Sequence, residues 1–209
     1  MRAGEGLMMR RSFLGIPAFA MLQAPLAVVR SWQAARHAQD DWLDDNKAKH
    51  RVILDTWNPE HFPDALQFAG NIVETNKTDY DIPADELGVV ICVRHRTTPF
   101  AFNDAMWTKY GKSMSAQMAW SDPNSPGALT ANPYGKRLVA LAAQGVRLAI
   151  CNRTTRAYSG RAARDAGTAG DAVLKEFMAS TVIAGHFVPA GVVAVTRAQE
   201  RGYANISIG

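Results

Sequence analysis

Short apolar runs, several of them rich in β-branched residues, alternate with segments of helical periodicity along residues 51–209. Five runs are predicted to be strands, at 51–55, 87–93, 146–151, 185–188 and 203–208. Apolar residues at helical spacing fall between them and predict helices at 63–75, 103–112, 134–144, 171–181 and 189–201. Apolar strands that alternate with helices are typical of an open parallel sheet covered on both faces. The pattern therefore predicts an α/β fold.

Three segments between these elements lack a strong pattern. Residues 94–99 are predicted to be a polar loop, and residues 159–170 to be irregular or weakly helical. Residues 119–133 are predicted to be a long loop, and loops of this length in a compact domain are often functional. The chain shows neither an internal repeat nor a second domain.

Composition excludes several classes of protein. Hydrophobic residues make up 47% of the chain and charged residues 20%, which is typical of a folded globular domain rather than a disordered one. The net charge is only +4, and no basic stripe is interleaved with aromatic residues, so no nucleic-acid partner is expected. Two cysteines are too few for a disulfide framework.

The N-terminal segment has the features of a targeting signal. The pair Arg10-Arg11, followed by Phe13-Leu14 and an apolar stretch to Val29, resembles a twin-arginine export signal. The alternative is a short N-terminal helix that happens to contain two arginines. We expect a periplasmic protein that contacts the membrane only if the signal is not cleaved. The predicted organisation is a signal segment at 1–30, a linker or short surface helix at 31–49, and the domain at 50–209.

Motifs that carry well-known chemistry are absent from the sequence. No G-x-S-x-G, P-loop or G-x-G-x-x-G is present, which removes the best support for a hydrolase or a nucleotide-binding protein. No H-x-x-H or C-x-x-C spacing is present either, so neither a metal site nor a cofactor is predicted. Whether the protein is an enzyme stays open at this point.

Polar side chains follow three of the predicted strands. Ligands of parallel open sheets bind beyond the carboxyl ends of the strands, so these residues are the candidate site. They are Asp55 after the first strand, Arg94 and His95 after the second, and Cys151, Asn152 and Arg153 after the third.

Cys151 admits three interpretations. A thiol beside arginine and histidine side chains has more of the thiolate form, which attacks sulfur. In contrast, free cysteine is among the most buried residue types, so Cys151 could simply close a strand. An oxidising periplasm would also permit a disulfide with Cys92, although that pairing requires close Cα atoms and suitable Cβ directions.

The C-terminal stretch from His186 to Gly209 resembles the DsrE/DsrF-like family, which includes YchN-type proteins. The matching features are Val188-Pro189 at a strand end, Gln199 near a helix end, and Gly202-Tyr203 before a last strand. The segments QGVRLAICNRTTR, RVILDTWNPEHFPDALQFAGNIV and LGVVICVRHRTTPFAFNDAMWTKYG resemble other parts of the family, the last of them an exported subgroup.

The resemblance implies a three-layer α/β/α fold with a five-stranded parallel sheet, assembled as homotrimers or hexamers. Better-known members pass sulfur as a cysteine persulfide between partner proteins, so a sulfur-donor or acceptor protein is an expected partner. Our first hypothesis is therefore sulfur or thiol-redox handling through Cys151, with Asp55, Arg94, His95, Asn152 and Arg153 as ligand-binding residues. The alternative is a non-catalytic oligomeric module that binds a small ligand or a protein.

Overall fold

A five-stranded sheet forms the centre of the molecule, and all of its strands are parallel. The computed structural model describes residues 33–44, 48–124 and 127–209. The predicted signal segment, 1–30, lies outside the described residues. The strand order across the sheet is β4-β3-β2-β1-β5. The strands are β1 (His50–Thr56), β2 (Leu87–Val93), β3 (Arg147–Cys151), β4 (Gly185–Val188) and β5 (Ala204–Ile208).

β2 is central and all seven of its residues are buried. A strand covered on both faces needs apolar side chains in both directions, which explains its uninterrupted apolar sequence. β1 and β3 are buried over most of their length, whereas the edge strands β4 and β5 are more exposed. The apolar runs of the sequence thus mark the inner strands most clearly.

Helices cover both faces of the sheet and give the expected three-layer α/β/α fold. The helices are α1 (Phe62–Asp79), α2 (Asp104–Met118), α3 (Gly135–Ala142), α4 (Asn152–Ala166), α5 (Gly170–Ala179) and α6 (Gly191–Glu200). Buried residues of α1 to α5 belong to one hydrophobic core. Buried residues of α6 belong to a second core on the opposite face, together with Trp42, Leu43 and Tyr203.

Two local predictions were wrong. Residues 159–170 were expected to be irregular or weakly helical, but α4 begins at Asn152 and continues to Ala166, where Gly167 ends it in the left-handed region at φ 64°. Tyr158, Ala162 and Ala163 recur at helical spacing on the buried side of α4, and this burial favours the helix. Residues 94–99 were expected to be a loop, but a 3₁₀ helix spans His95–Ala101 and its last five residues are buried.

The segment expected to be a linker or a short surface helix contains a 3₁₀ helix at Ala38–Leu43. Its Trp42 ring stacks on His186 with the centroids 4.6 Å apart. Arg147 donates a hydrogen bond to the Trp42 carbonyl, and Tyr203 donates one to the Leu43 carbonyl. These contacts make the segment part of the layer that contains α6.

No helix in the described parts of the chain is both long and apolar enough to cross a bilayer.

Candidate functional site

Three neighbouring strands deliver polar side chains to one edge of the sheet. Residues two apart on a strand share a face, so Asp55 shares a face with Ile53, Arg94 with Cys92, and Cys151 with Ala149. Ile53, Cys92 and Ala149 lie in the core between the sheet and α6. Asp55, Arg94 and Cys151 therefore fall on the α6 side of the carboxyl edge. We call these three residues the carboxyl-edge cluster.

Asp55 and Arg94 form a bidentate ion pair. Nε of Arg94 donates to one carboxylate oxygen at 2.6 Å, and Nη2 donates to the other at 2.8 Å. Asp55 is 6% exposed, and the hydrogen bond from Arg94 to this carboxylate raises the pKa of Arg94. The guanidinium also lies 5.0 Å from the centroid of the Trp57 ring. Arg94 is therefore a fixed cation whose charge is balanced by Asp55.

The start of α6 packs against this ion pair. A Cβ atom on Gly191 would lie 2.6 Å from the Cβ of Arg94, so only glycine fits without a shift of one element. The Gly191 carbonyl also accepts a weak hydrogen bond from the Sγ of Cys92 at 3.7 Å. Gly191 thereby holds the N-terminus of α6 over the carboxyl-edge cluster.

Cys151 occupies the junction between β3 and α4. It is the last residue of β3 and the N-cap of α4, and its side chain is buried with 5% exposure. The Thr154 hydroxyl donates to the Cys151 Sγ at 3.2 Å, and the Thr155 hydroxyl donates to the Cys151 carbonyl at 3.0 Å. The first turn of a helix also carries unpaired N–H groups and the positive end of the helix dipole. Thr154 is therefore the hydrogen-bond donor to this sulfur, since the Cys151 side chain accepts no cap hydrogen bond from the backbone of α4.

Cys92 has the opposite environment. It lies within β2, has no exposed surface, and its thiol pKa is raised by burial and by the charge of Asp55. The two cysteines are both free. Cys92 lies opposite Ala149 in the register, so it is offset from Cys151 by two residues. This offset separates the two Cα atoms by about 8 Å, beyond the usual limit of about 7 Å for a disulfide.

The other predicted ligand residues surround the cluster without joining its hydrogen bonds. His95 is exposed and adopts a positive φ of 52°, and Arg153 is exposed. Neither side chain makes a hydrogen bond or an ion pair to any residue that the structure describes. Asn152 is half-buried, and its side-chain oxygen is buried without a hydrogen-bond partner in the described chain. No group of three or more metal-binding side chains occurs within residues 33–44, 48–124 and 127–209.

Sequence reasoning missed three contributors to the site. They are Thr154, which donates to Cys151, and Gly191 and Trp57, which contact Arg94. In the first helical turn after a strand, a hydroxyl can contact the last residue of the strand. The position of Thr154 in such a turn is the sequence signal from which its contact with Cys151 could have been predicted. The contacts of Gly191 and Trp57 with Arg94 span long sequence separations and leave no local pattern.

Comparisons with solved structures give a structural likeness of low sequence identity. No protein-family model matches the sequence, and no curated protein is significantly similar to it. Among solved structures, the chain is similar to MTH1491 from Methanobacterium thermoautotrophicum, described as a protein of unknown function. The two are 17% identical with a TM-score of 0.43, over 76% of this chain and 99% of that one.

Proposed function

We propose that this protein carries sulfur as a persulfide on Cys151. The observation that carries the proposal is the setting of Cys151 Sγ, at the N-terminus of α4 with the Thr154 hydroxyl donating to it at 3.2 Å. A thiolate is the nucleophile in sulfur chemistry, and helix N-termini and hydrogen-bond donors stabilise it. The resemblance to the DsrE/DsrF-like family, whose better-known members carry sulfur, points the same way.

The transfer step needs no oxidant. The Cys151 thiolate attacks the outer sulfur of a donor persulfide, R–S–SH, and the new S–S bond forms as the S–S bond of the donor breaks. The donor leaves as a thiolate and takes up the proton that Cys151 released. Cys151 then holds –S–SH, and the same exchange in reverse passes the sulfur to an acceptor thiol. A disulfide substrate would react at Cys151 by the equivalent thiol exchange.

The residues of the carboxyl-edge cluster have different parts in this step. Asp55 balances the charge of Arg94, so in this proposal the Cys151 thiolate is stabilised by the Thr154 hydroxyl and by the N-terminal end of the α4 dipole. Arg94 fixes the position of the α6 N-terminus beside the cluster. The 5% exposure of Cys151 restricts attack to slender groups such as the terminal sulfur of a persulfide.

The chain contains its own control for this proposal, because Cys92 is the only other cysteine in the sequence and has no exposed surface. The folded protein is incubated with glutathione persulfide, the donor is removed, and intact mass is measured without reductant. Wild type and Cys92→Ser are expected to gain one sulfur atom that dithiothreitol removes, whereas Cys151→Ser gains none. Equal loading of Cys151→Ser and wild type, or no loading of wild type, contradicts the proposal.

A non-catalytic oligomeric binding module is the second candidate. Val192 and Val193, in the first turn of α6, are 58% and 44% exposed. Exposed apolar side chains beside a site favour contact with another protein or a second copy of this chain. In this alternative, Cys151→Ser leaves the oligomer and its ligand binding unchanged, while Val192→Ser weakens association in analytical ultracentrifugation.

We also propose that the protein acts after export, as a periplasmic trimer or hexamer. The support is the Arg10-Arg11 pair with the apolar stretch behind it, and the family resemblance. Fractionation of cells that express the full chain tests the location. Replacement of Arg10 and Arg11 by lysine is expected to retain the protein in the cytoplasm. Periplasmic recovery of this variant at the wild-type level contradicts twin-arginine export.

A further inference from the structure

A concave site lies on the face that carries α1 to α5, and none of the carboxyl-edge cluster residues lines it. It is a cavity of about 370 Å³, within the range of small-molecule sites. We call it the Trp120 cavity. Its lining includes Glu60, Trp120, Asp122, Tyr134 and Arg137.

Two aromatic rings form a fixed wall of this cavity. Trp120 and Tyr134 have ring centroids 6.3 Å apart and an interplanar angle of 34°. Phe100, which is completely buried, packs nearly perpendicular to both rings, with centroid distances of 5.3 and 4.8 Å. Phe62 adds a contact with Tyr134 at 5.2 Å. Because the rings are held from behind by the core, the cavity offers a preorganised aromatic surface rather than two mobile side chains.

Charges of both signs flank the aromatic wall. Glu60 is paired with Arg96, at 3.3 Å, and so is partly balanced. Asp122 is half-buried, and among the described residues its carboxylate accepts one hydrogen bond, from the backbone N–H of Asn124 at 2.9 Å. Arg137 is exposed. Within the described residues, Asp122 and Arg137 form no ion pair with each other or with a third group.

Tyr134 lies within electrostatic reach of both charges. Burial and the negative charge of Asp122 raise the pKa of Tyr134 to about 12, and the positive charge of Arg137 acts against them. The phenol is therefore protonated at neutral pH and can donate a hydrogen bond. An aromatic wall with a free carboxylate suits an ammonium group, and a free guanidinium suits a carboxylate.

We propose that the Trp120 cavity binds a small zwitterion with an ammonium group at one end and a carboxylate at the other. The ammonium group lies against the faces of Trp120 and Tyr134, with Asp122 as its counter-charge. The carboxylate is bound by the guanidinium of Arg137. A purely cationic ligand is repelled by Arg137, and a purely anionic ligand is repelled by Asp122. Both therefore bind more weakly than the zwitterion.

Three probes of nearly equal shape separate these cases. Glycine betaine has both charges, choline lacks the carboxylate, and 3,3-dimethylbutyrate replaces the ammonium nitrogen by carbon. Isothermal titration of the full chain with each probe is expected to give saturable binding, tightest for glycine betaine. The two single-charge probes bind at least about 3-fold more weakly, the size of one exposed charge or cation–π contact.

Conservative variants assign each end of the ligand. Asp122→Asn is expected to weaken the binding of glycine betaine and choline but not of 3,3-dimethylbutyrate. Arg137→Gln is expected to weaken the binding of glycine betaine and 3,3-dimethylbutyrate but not of choline. Trp120→Ala weakens all three. Asp85→Asn and Arg164→Gln are matched controls, because both residues are exposed and neither lines the cavity.

Three results would overturn the proposal. The first is that no probe binds saturably to the wild-type chain. The second is that choline binds as tightly as glycine betaine and Arg137→Gln has no effect, which means a site for cations only. The third is that the control variants weaken binding as much as Asp122→Asn and Arg137→Gln. The wild-type titrations need no variant to fold, and circular dichroism checks the fold of each variant.

Discussion

The backbone of Gly191 lies against the side chain of Arg94 so closely that a Cβ atom on Gly191 would be 2.6 Å from the Cβ of Arg94. The added methyl group of Gly191→Ala must therefore displace either α6 or the Asp55–Arg94 ion pair. We expect a loss of about 1–3 kcal/mol in the free energy of unfolding, the usual effect of overpacking. Urea denaturation measures this loss.

Gly170→Ala is the matched control for this substitution. Gly170 also begins a helix, and a Cβ atom on it would have no neighbour within 4 Å. A glycine replaced without strain usually gives a stabilisation of about 0.4–1 kcal/mol, because the unfolded chain loses freedom. Equal destabilisation by Gly170→Ala and Gly191→Ala would show that the contact with Arg94 is not the cause.

The sequence pattern predicts the inner part of this fold well, because strands covered on both faces need uninterrupted apolar residues. The predicted bounds of β2 and β4 coincide with the observed ones, and those of β1, β3 and β5 differ by one residue at one end or both. The start of α4 could not be predicted in the same way. Arg153 at the positive end of a helix, and Thr154 and Thr155 with low helix propensity, argue locally for a loop. The burial of later residues of α4 stabilises the helix and outweighs these local preferences.

The same distinction applies to the candidate site, because some of its features follow from the sequence pattern and others depend on tertiary packing. Parallel strands share one carboxyl edge, so strand ends alone bring Asp55, Arg94 and Cys151 together. Alternation along the strands also gives their common face. The bidentate geometry of the ion pair and the approach of Gly191 depend on tertiary packing between distant parts of the chain. They leave no periodic signal in the sequence.

Removal of the Asp55 charge is expected to destabilise the protein. Asp55→Asn keeps the shape of the side chain but leaves Arg94 without its counter-charge, and the Arg94 side chain is 23% exposed. We expect a loss of about 2 kcal/mol, less than for a completely buried pair because water reaches part of the guanidinium. A double-mutant cycle of Asp55→Asn and Arg94→Gln in urea measures the coupling. Additive effects of the two substitutions contradict a direct interaction.

Asp44, in the N-terminal part of the described chain, is expected to make the stability of the protein depend on pH in the acid range. Burial raises its pKa, but hydrogen bonds and ion pairs with Arg51, Arg201 and Arg36 outweigh burial and hold the pKa below 3.8. A carboxylate with a lowered pKa in the folded state stabilises the protein above its ordinary pKa. That stabilisation is lost as the pH falls through the folded-state pKa.

Asp44→Asn therefore lowers the free energy of unfolding at pH 7, by about 1–2 kcal/mol, and the difference from wild type shrinks as the pH falls below about 4. Part of the loss arises because the Arg201 side chain, which is only 5% exposed, loses a partner. Asp64→Asn is the control, since its pair with His61 is about half exposed and contributes little. A difference between Asp44→Asn and wild type that is constant across acid pH contradicts the prediction.

Thr154 is expected to control the reactivity of Cys151. Thr154→Val keeps the branched shape but removes the hydroxyl that donates to Sγ at 3.2 Å. Loss of one hydrogen bond to the sulfur anion is expected to slow alkylation of Cys151 by iodoacetamide about 3- to 10-fold at a fixed neutral pH. The rate is measured in a Cys92→Ser background by intact mass. Thr154→Ser retains the hydroxyl and is expected to restore most of the rate. A rate in Thr154→Val equal to that of the parent, or a loss in Thr154→Ser as large as in Thr154→Val, contradicts activation of Cys151 through this hydrogen bond.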